Sequence, residues 1–448
     1  MRNKIRKQLR LVEPSIDHEH AKELHAIRTL IAEHSEVIDL IYEDLIRGLR
    51  DPDAGRDGLM TAEQVFKVLL IKQMNSFSYD TLRFHLMDSR CYRSFCGFGI
   101  ADAIPSDKTI QRDIKRIGAD TLEKINRIIV GVAEDKRIER GRKVRVDCTV
   151  TETNIHHPMD SSLLWDCVRV LSRATARAKE AFGISVSDHS RRAKRRAMGI
   201  LNAKNSKIRE RLYRDLVKVS KKTAADAERV MTSLLETGST SVTCMRICSE
   251  LSHYLPLTRK VIEQTERRVF LDEKLKPEQK IVSIFEPHTD IIIKDRRETY
   301  YGHKLALSGG DSGLLLDLVI EEGNPADSTL AEKMVSRQKE IWGKVPRQTA
   351  FDGGFASKKN LSNIKELGVK DVVFAKKRGL AVSDMAKSTW VYKRLRDFRA
   401  GIEGMISFLK RSFGMRRCTW HGLESFKAYA WSSVVTANLL LIARRMLA

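Results

Sequence analysis

Three acidic residues stand in settings that suit chemistry. Asp147 lies in Lys143-Val-Arg-Val-Asp-Cys-Thr-Val150, where Val144, Val146, Cys148 and Val150 alternate with Lys143, Arg145, Asp147 and Thr149. That period of two predicts a strand with one buried face and one open face, and Asp147 falls on the open one. Asp352 ends the run Gln348-Thr-Ala-Phe and is followed by Gly353 and Gly354, so a carboxylate sits at a strand end beside residues that allow a tight turn and close approach. Glu403 lies in a helical stretch, Thr389 to Ser412. At 3.6 residues per turn Arg396, Arg399, Glu403 and Lys410 fall within roughly 60° of one another. Phe398, Ile402, Met405, Ile406 and Leu409 form the apolar side of that helix. Singly these features have plain readings: a solvated Asp, an Asp-Gly turn and a salt-bridge stripe. Brought together, three carboxylates repel one another unless divalent cations neutralise them. Magnesium favours oxygen ligands, and two ions ~3.5–4 Å apart serve phosphodiester chemistry by acting on the attacking and leaving oxygens. The set therefore points to nucleotidyl or phosphoryl transfer.

The elements that must position these acids follow from periodicity. Apolar residues from Asp17 to Arg50 keep a helical period, and Asp51-Pro-Asp-Ala-Gly-Arg-Asp-Gly58 stops it. A second helix opens at Thr61-Ala-Glu-Gln64, a cap signature. Short helices are expected over Tyr79–Met87 and Ser106–Arg116. They resemble a helix-turn-helix with Ser106 as cap and Lys108, Thr109, Gln111, Arg112 and Lys115 exposed, side chains suited to phosphates and base edges. Residues 161 to about 275 read as helix throughout, too long for a connection between strands. Strands are expected again at Ile281–Phe285, Ile291–Lys294, His303–Ser308 and Leu314–Ile320, a helix at Ser328–Trp342, and a strand at Asp371–Ala375.

Composition narrows the partner. With 81 Lys and Arg against 58 Asp and Glu among 448 residues, the formal charge is +23, which favours a polyanion, nucleic acid first. Ser190 to Lys222 holds thirteen Lys and Arg against Glu210 and Asp215, a net of +11, interleaved with Met198, Ile200, Leu201, Ile208, Leu212 and Leu216 at helical spacing. That pattern fits a folded basic face for a nucleic-acid backbone. The basic amino terminus (Arg2, Lys4, Arg6, Lys7, Arg10) reads first as a frayed, solvated arm. No signal peptide is visible, and the apolar run Val434–Ala443 is shorter than the ~18 residues a span needs, so no membrane partner is expected. Seven unpatterned cysteines suit a reduced, cytoplasmic protein. Cys244 and Cys248, with Met245, Ile247 and Leu251 about them, read as a buried helix face rather than a zinc site with His253, and His156 and His157 as surface residues in a loop.

Asp147-Cys-Thr, Tyr301-Gly-His-Lys304, Asp352-Gly-Gly-Phe and Arg399-x3-Glu403-x6-Lys410, in this order, resemble the DDE transposases of bacterial insertion sequences. One position departs: Arg396 stands where that family has a tyrosine, seven residues before Glu403. The resemblance implies an α/β fold, a ribonuclease H-like mixed sheet flanked by helices, with a helical N-terminal domain and a large all-helical insertion after the first strand. The expected division is a DNA-binding domain over 1–135, the catalytic core over 138–160 and 280–425, a basic helical insertion over 161–279 and a C-terminal helix over 426–448. The resemblance also implies that Asp147, Asp352 and Glu403 hold two Mg²⁺, with Mn²⁺ able to substitute, and that the enzyme cuts DNA at the element's ends and transfers the strands. Arg399, Lys410 and Lys304 are expected at phosphates near the metals, Lys108 and Arg112 at the terminal repeats, and Arg191, Arg192, Arg195 and Arg196 on the DNA backbone. A homodimer on DNA, associated with the bacterial nucleoid, is expected because two ends must be joined. A structure-specific DNA nuclease and an inactive DNA-binding derivative are the alternatives.

Overall fold

The computed structural model describes residues 2–6, 16–49, 60–99, 101–294 and 298–448. Among these, seven helices precede the first strand: α1 (Glu19–Glu33), α2 (Glu36–Ile46), α3 (Ala62–Met74), α4 (Tyr79–Asp88), α5 (Arg90–Phe95), α6 (Asp107–Ile114) and α7 (Ala119–Asp135). The periodic stretch from Asp17 is two helices, because His34 leaves helical backbone (φ −123°, ψ 69°). α3 begins where the cap signature places it: the Thr61 hydroxyl accepts from the Gln64 N–H at 3.1 Å, and the Gln64 side chain accepts from the Thr61 N–H at 2.9 Å. The basic arm is docked rather than frayed. Arg2 is buried against Asp113 at 2.8 Å, Lys4 pairs with Asp39 at 2.6 Å, and Arg6 pairs with Asp102. The Asn3 and Lys4 carbonyls accept from the Ala62 and Glu63 N–H groups at the start of α3. Lys7, Arg10 and the stop at Asp51–Gly58 lie outside the described residues.

The chain then continues through β1 (Lys143–Glu152), helices α8 (Asp160–Phe182), α9 (Ser190–Asn202), α10 (Ser206–Glu236) and α11 (Val242–Val269), and strands β2 (Asp290–Lys294), β3 (Glu298–Gly309) and β4 (Leu315–Glu321). α12 (Ala331–Trp342), β5 (Gln348–Phe351), α13 (Lys358–Glu366), β6 (Asp371–Phe374), α14 (Val382–Met385), α15 (Thr389–Ser412) and α16 (Leu423–Leu447) complete it. Two compact units result, one of Met1–Glu152 with His303–Ala448 and one of Thr153–Gly302.

In the first unit the strands run in the order β4-β3-β1-β5-β6. β1, β5 and β6 are parallel neighbours, while β3 and β4 are antiparallel. The first helices share one hydrophobic cluster with this sheet and with α16. α16 corrects the expectation drawn from Val434–Ala443. As a whole helix it is long and apolar enough to cross a membrane, yet 89% of its most apolar window is buried inside the protein. Buried Asn438 shows why it belongs to the core. Its amide donates to the Leu315 carbonyl at 2.7 Å and to the Asn126 side chain at 2.8 Å, and its oxygen accepts from the Leu315 N–H at 2.9 Å. The helix is thereby fixed to β4 and α7 by a satisfied polar network.

The second unit is α8 to α11 around two apolar clusters, with β2 paired antiparallel to the first residues of β3. The strand expected at Ile281–Phe285 is absent from this described stretch. Ile281 and Ile284 instead pack on the helices, and Gln264 holds both polar groups of Ile281, accepting from its N–H at 2.8 Å and donating to its carbonyl at 3.1 Å. An apolar run that finds a helical surface and a side-chain clamp needs no strand neighbour.

Candidate active site

The parallel register decides where two of the acids meet. β1 and β5 pair from Lys143 opposite Gln348 to Val146 opposite Phe351, so Asp147 and Asp352 each follow the last pair at the same edge of the sheet. The open face predicted for β1 is mostly covered: Arg145 is 8% exposed and Thr149 4%, because β1 is a central strand with α15 across it. The Asp147 side chain keeps 17% exposure and its Oδ1 accepts from the Cys148 N–H at 2.7 Å. Asp352 caps the short turn Gly353–Phe355, its Oδ2 accepting from the Gly354 N–H at 3.5 Å. The two glycines there serve space rather than an unusual backbone conformation. A Cβ on Gly353 would meet Lys376 at 2.7 Å, and one on Gly354 would meet Asp327 Oδ2 at 2.5 Å.

α15 spans the predicted residues and brings the third acid. Its approach to the sheet depends on Arg145, whose Nη1 donates to the Phe398 carbonyl and Nη2 to the Gly310 carbonyl, both at 2.9 Å. The same guanidinium lies 4.6 Å from the Phe398 ring centroid. Gly401 leaves room for it, since a Cβ there would sit 2.1 Å from Arg145 Nη1, and Gly309 on β3 leaves room for Met405. Sequence reasoning placed Arg145 on the solvent face and missed this role. The legible signal was an Arg two residues before Asp147 and on its face, in a strand whose other face is apolar.

One cation joins the three acids. Arg399 Nη1 lies 3.5 Å from Asp147 Oδ2 and 3.4 Å from Asp352 Oδ1, and Nη2 donates to Glu403 Oε1 at 2.9 Å. The Arg399 side chain is 15% exposed, and its Nε is buried without a hydrogen-bond partner among the described residues. Glu403 is the most open of the acids, with 64% of its side chain exposed, and Asp352 follows with 39%. Among the described residues no group of three His, Cys, Asp or Glu side chains is close enough to hold a metal ion directly. The acids meet through the guanidinium instead. Their donor set is all carboxylate oxygen, which suits hard divalent ions, and its convergence on one cation marks a place that gathers positive charge.

Several of the other expected residues keep different company. Lys304 is 8% exposed, pairs with Asp327 at 2.5 Å and donates to the Pro325 carbonyl at 2.6 Å. Asp327, which sequence reasoning did not single out, also bonds Cys148; burial, first, and that neighbouring carboxylate push the Cys148 thiol well above its ordinary range. Lys410 is half-buried two turns beyond Glu403, and Arg396 is exposed with Asp397 3.7 Å away. On α6, capped by Ser106, Lys108, Arg112 and Lys115 are exposed, while Thr109 and Gln111 are half-buried. α5 intervenes between α4 and α6, so the two helices of the expected pair are not consecutive. In the second unit Arg191, Arg192 and Arg195 are exposed and Arg196 half-buried; Arg192 and Arg196 share Asp215. On α11 Cys244, Ile247 and Leu251 are buried, whereas Met245 is exposed.

Comparison with known proteins gives two matches. Residues 287–439 match the model described as Transposase DDE domain, and residues 13–116 the one described as Transposase domain (DUF772). The first spans Asp352 and Glu403, the second α1 to α6. No curated protein and no solved structure matches the chain. Both matched regions, more than half of the sequence between them, are transposase regions, and the chain accordingly belongs to the DDE transposases of insertion sequences, ribonuclease H-like enzymes that use divalent metal ions to cleave DNA and transfer its strands.

Proposed function

We propose that Asp147, Asp352 and Glu403 are the catalytic carboxylates of this transposase and hold two Mg²⁺, for which Mn²⁺ can substitute. The observation that carries the reading is the convergence of all three acids on Arg399 at one edge of the parallel strands. Bound divalent ions supply Lewis-acid activation of the attacking oxygen and charge stabilisation of the leaving one. Asp147, within β1 just past its pairing with β5, and Asp352, just past the end of β5, fix two sides of the site, and Glu403, on the helix, supplies the exposed third. In the first step water attacks a phosphodiester at the element's end; a new P–O bond forms, the bond to the 3′ oxygen breaks, and a 3′-hydroxyl and a 5′-phosphate result. That 3′-hydroxyl then attacks a target phosphodiester, releasing a 3′-hydroxyl from the target. Arg399 and Lys410 orient the phosphates of the reacting strands. Lys304, held by Asp327 and the Pro325 carbonyl, supports the wall behind Asp147 rather than touching DNA.

Lys108 and Arg112 on α6 form part of the surface that reads the terminal repeats, and the basic faces of α9 and α10 add backbone affinity. In this reading residues 1–135 form the DNA-binding region, 138–160 and 280–425 the catalytic core, and 161–279 an insertion after its first strand, with 426–448 closing the core. The working form is a homodimer on DNA, in the bacterial cytoplasm and at the nucleoid.

The test is cleavage and strand transfer on DNA carrying the element's own ends, with Mg²⁺ or Mn²⁺, comparing wild type and Asp352→Asn. Loss of both activities in the variant with binding retained is expected. Cutting of branched DNA regardless of terminal sequence would identify a nuclease instead, and binding without cleavage by either protein an inactive derivative.

A further inference from the structure

We propose that Arg399 is an exchangeable counter-ion of the acidic triad: it holds the three carboxylates together until divalent ions load, and is then displaced onto a DNA phosphate. The inference rests on the reading of Asp147, Asp352 and Glu403 as metal ligands. Its basis is that a single guanidinium serves all three acids, with Nη1 shared by Asp147 and Asp352 and Nη2 given to Glu403. Three carboxylates against this one guanidinium sum to a formal −2, so the guanidinium by itself does not neutralise them and a divalent cation is still attracted.

The contacts themselves favour release. Those to Asp147 and Asp352 are 3.5 and 3.4 Å, longer than charge-assisted hydrogen bonds of about 2.7–2.9 Å, and only the Glu403 contact at 2.9 Å has that geometry. The buried Nε has no hydrogen-bond partner among the described residues, so there this pose leaves one of the guanidinium's donors unused. A magnesium ion draws carboxylate oxygens to about 2.0–2.1 Å, a distance incompatible with a guanidinium between them. Because Arg399 stands one turn before Glu403 on α15, the displaced side chain stays at the rim of the site, where a planar fork suits a phosphate. Metal loading and phosphate capture are then coupled through one side chain, and each strengthens the other by the same factor.

A purely structural clamp predicts the opposite response to removal of Arg399, which makes the two separable. Mn²⁺ alone is titrated into the full-length protein without DNA and free Mn²⁺ is read by electron paramagnetic resonance, for wild type, Arg399→Gln, Arg399→Lys and Asp352→Asn. Exchange predicts that Arg399→Gln binds Mn²⁺ roughly tenfold more tightly than wild type, about 1.4 kcal/mol. It also predicts a larger rise in melting temperature when Mn²⁺ is added. Arg399→Lys, which keeps the charge, serves as the folded alternative and should fall between the two. Affinity in Arg399→Gln and Arg399→Lys equal to or weaker than wild type would overturn the proposal while leaving the metal-site reading intact. If no protein binds Mn²⁺ in a manner sensitive to Asp352→Asn, the metal-site reading itself fails.

Discussion

Arg145 and Asp147 project from the same strand two residues apart, and the difference in their company sets the roles they can play. Arg145 is buried under α15 with two backbone carbonyls as acceptors, so it fixes the helix that carries Arg399 and Glu403 without reaching the acids. Arg145→Ala leaves the Phe398 and Gly310 carbonyls without this partner and is expected to cost about 2–4 kcal/mol in urea unfolding. Cleavage should fall as well, and Arg145→Lys should restore little, since one ammonium cannot span both carbonyls. Wild-type cleavage in Arg145→Ala would show that α15 is held by its apolar face alone. At this scale the sequence was legible for the elements that carry the three acids and misleading for the burial of Arg145 and Lys304. Alternation reports which face a side chain takes, but whether that face is covered depends on elements far away in the chain.

At the scale of elements, close packing of α15 on the sheet rests on small residues at defined points. Gly401 and Gly404 are three residues apart on this helix, yet only Gly401 faces a neighbour; nothing lies within 4 Å of a Cβ on Gly404. Gly401→Ala must push the Arg145 guanidinium off its carbonyls and is expected to destabilise by about 1–3 kcal/mol, outweighing the helix propensity that alanine adds. Gly404→Ala should instead stabilise by about 0.5–1 kcal/mol. Denaturation of the two variants side by side checks this, and equal effects would mean that the Arg145 contact does not hold α15. The run Ile281–Phe285 and the helix α16 teach a related point: both are apolar stretches whose sequences admit more than one element or location. A clamp from Gln264 settles the first, and a buried bond network through Asn438 settles the second.

Over the whole molecule, charge governs both binding and stability. Arg192 and Arg196 are already paired with Asp215, whereas Arg191 and Arg195 are exposed on α9. Replacing Arg191 and Arg195 with Gln is expected to reduce the slope of log K against log salt by about 2, and replacing Arg192 and Arg196 to change it less. Equal slopes in wild type and Arg191/Arg195 variant would place the backbone contacts elsewhere. Stability should also depend on pH through Lys72. Burial holds its ammonium, near the rings of Tyr79 and Trp420, down at about 8 from 10.5. Between about pH 8 and 10.5 the unfolded chain binds this proton more tightly than the folded one, so stability should rise with pH across that window. Below it the penalty is constant. Lys72→Met is expected to stabilise at pH 7 by about 1–3 kcal/mol, with the gain vanishing by pH 10.5. Urea midpoints at the two pH values test it, and a gain that persists at the higher pH would trace the effect to packing.

By itself the sequence determined what local physics controls: the cap at Thr61, the extent of α15, the strand that carries Asp147 and the one that ends before Asp352, and the basic character of α9 and α10. These follow from periodicity, capping and composition, which act over a few residues. Only the tertiary structure decided that parallel register sets Asp147 beside Asp352, that Arg399 meets three acids at once, that Lys304 turns to Asp327, and that α16 is core. Each of those is a contact between residues far apart in the chain, 205 positions for the two aspartates. Such contacts are settled by which surfaces bury one another, which no local pattern encodes.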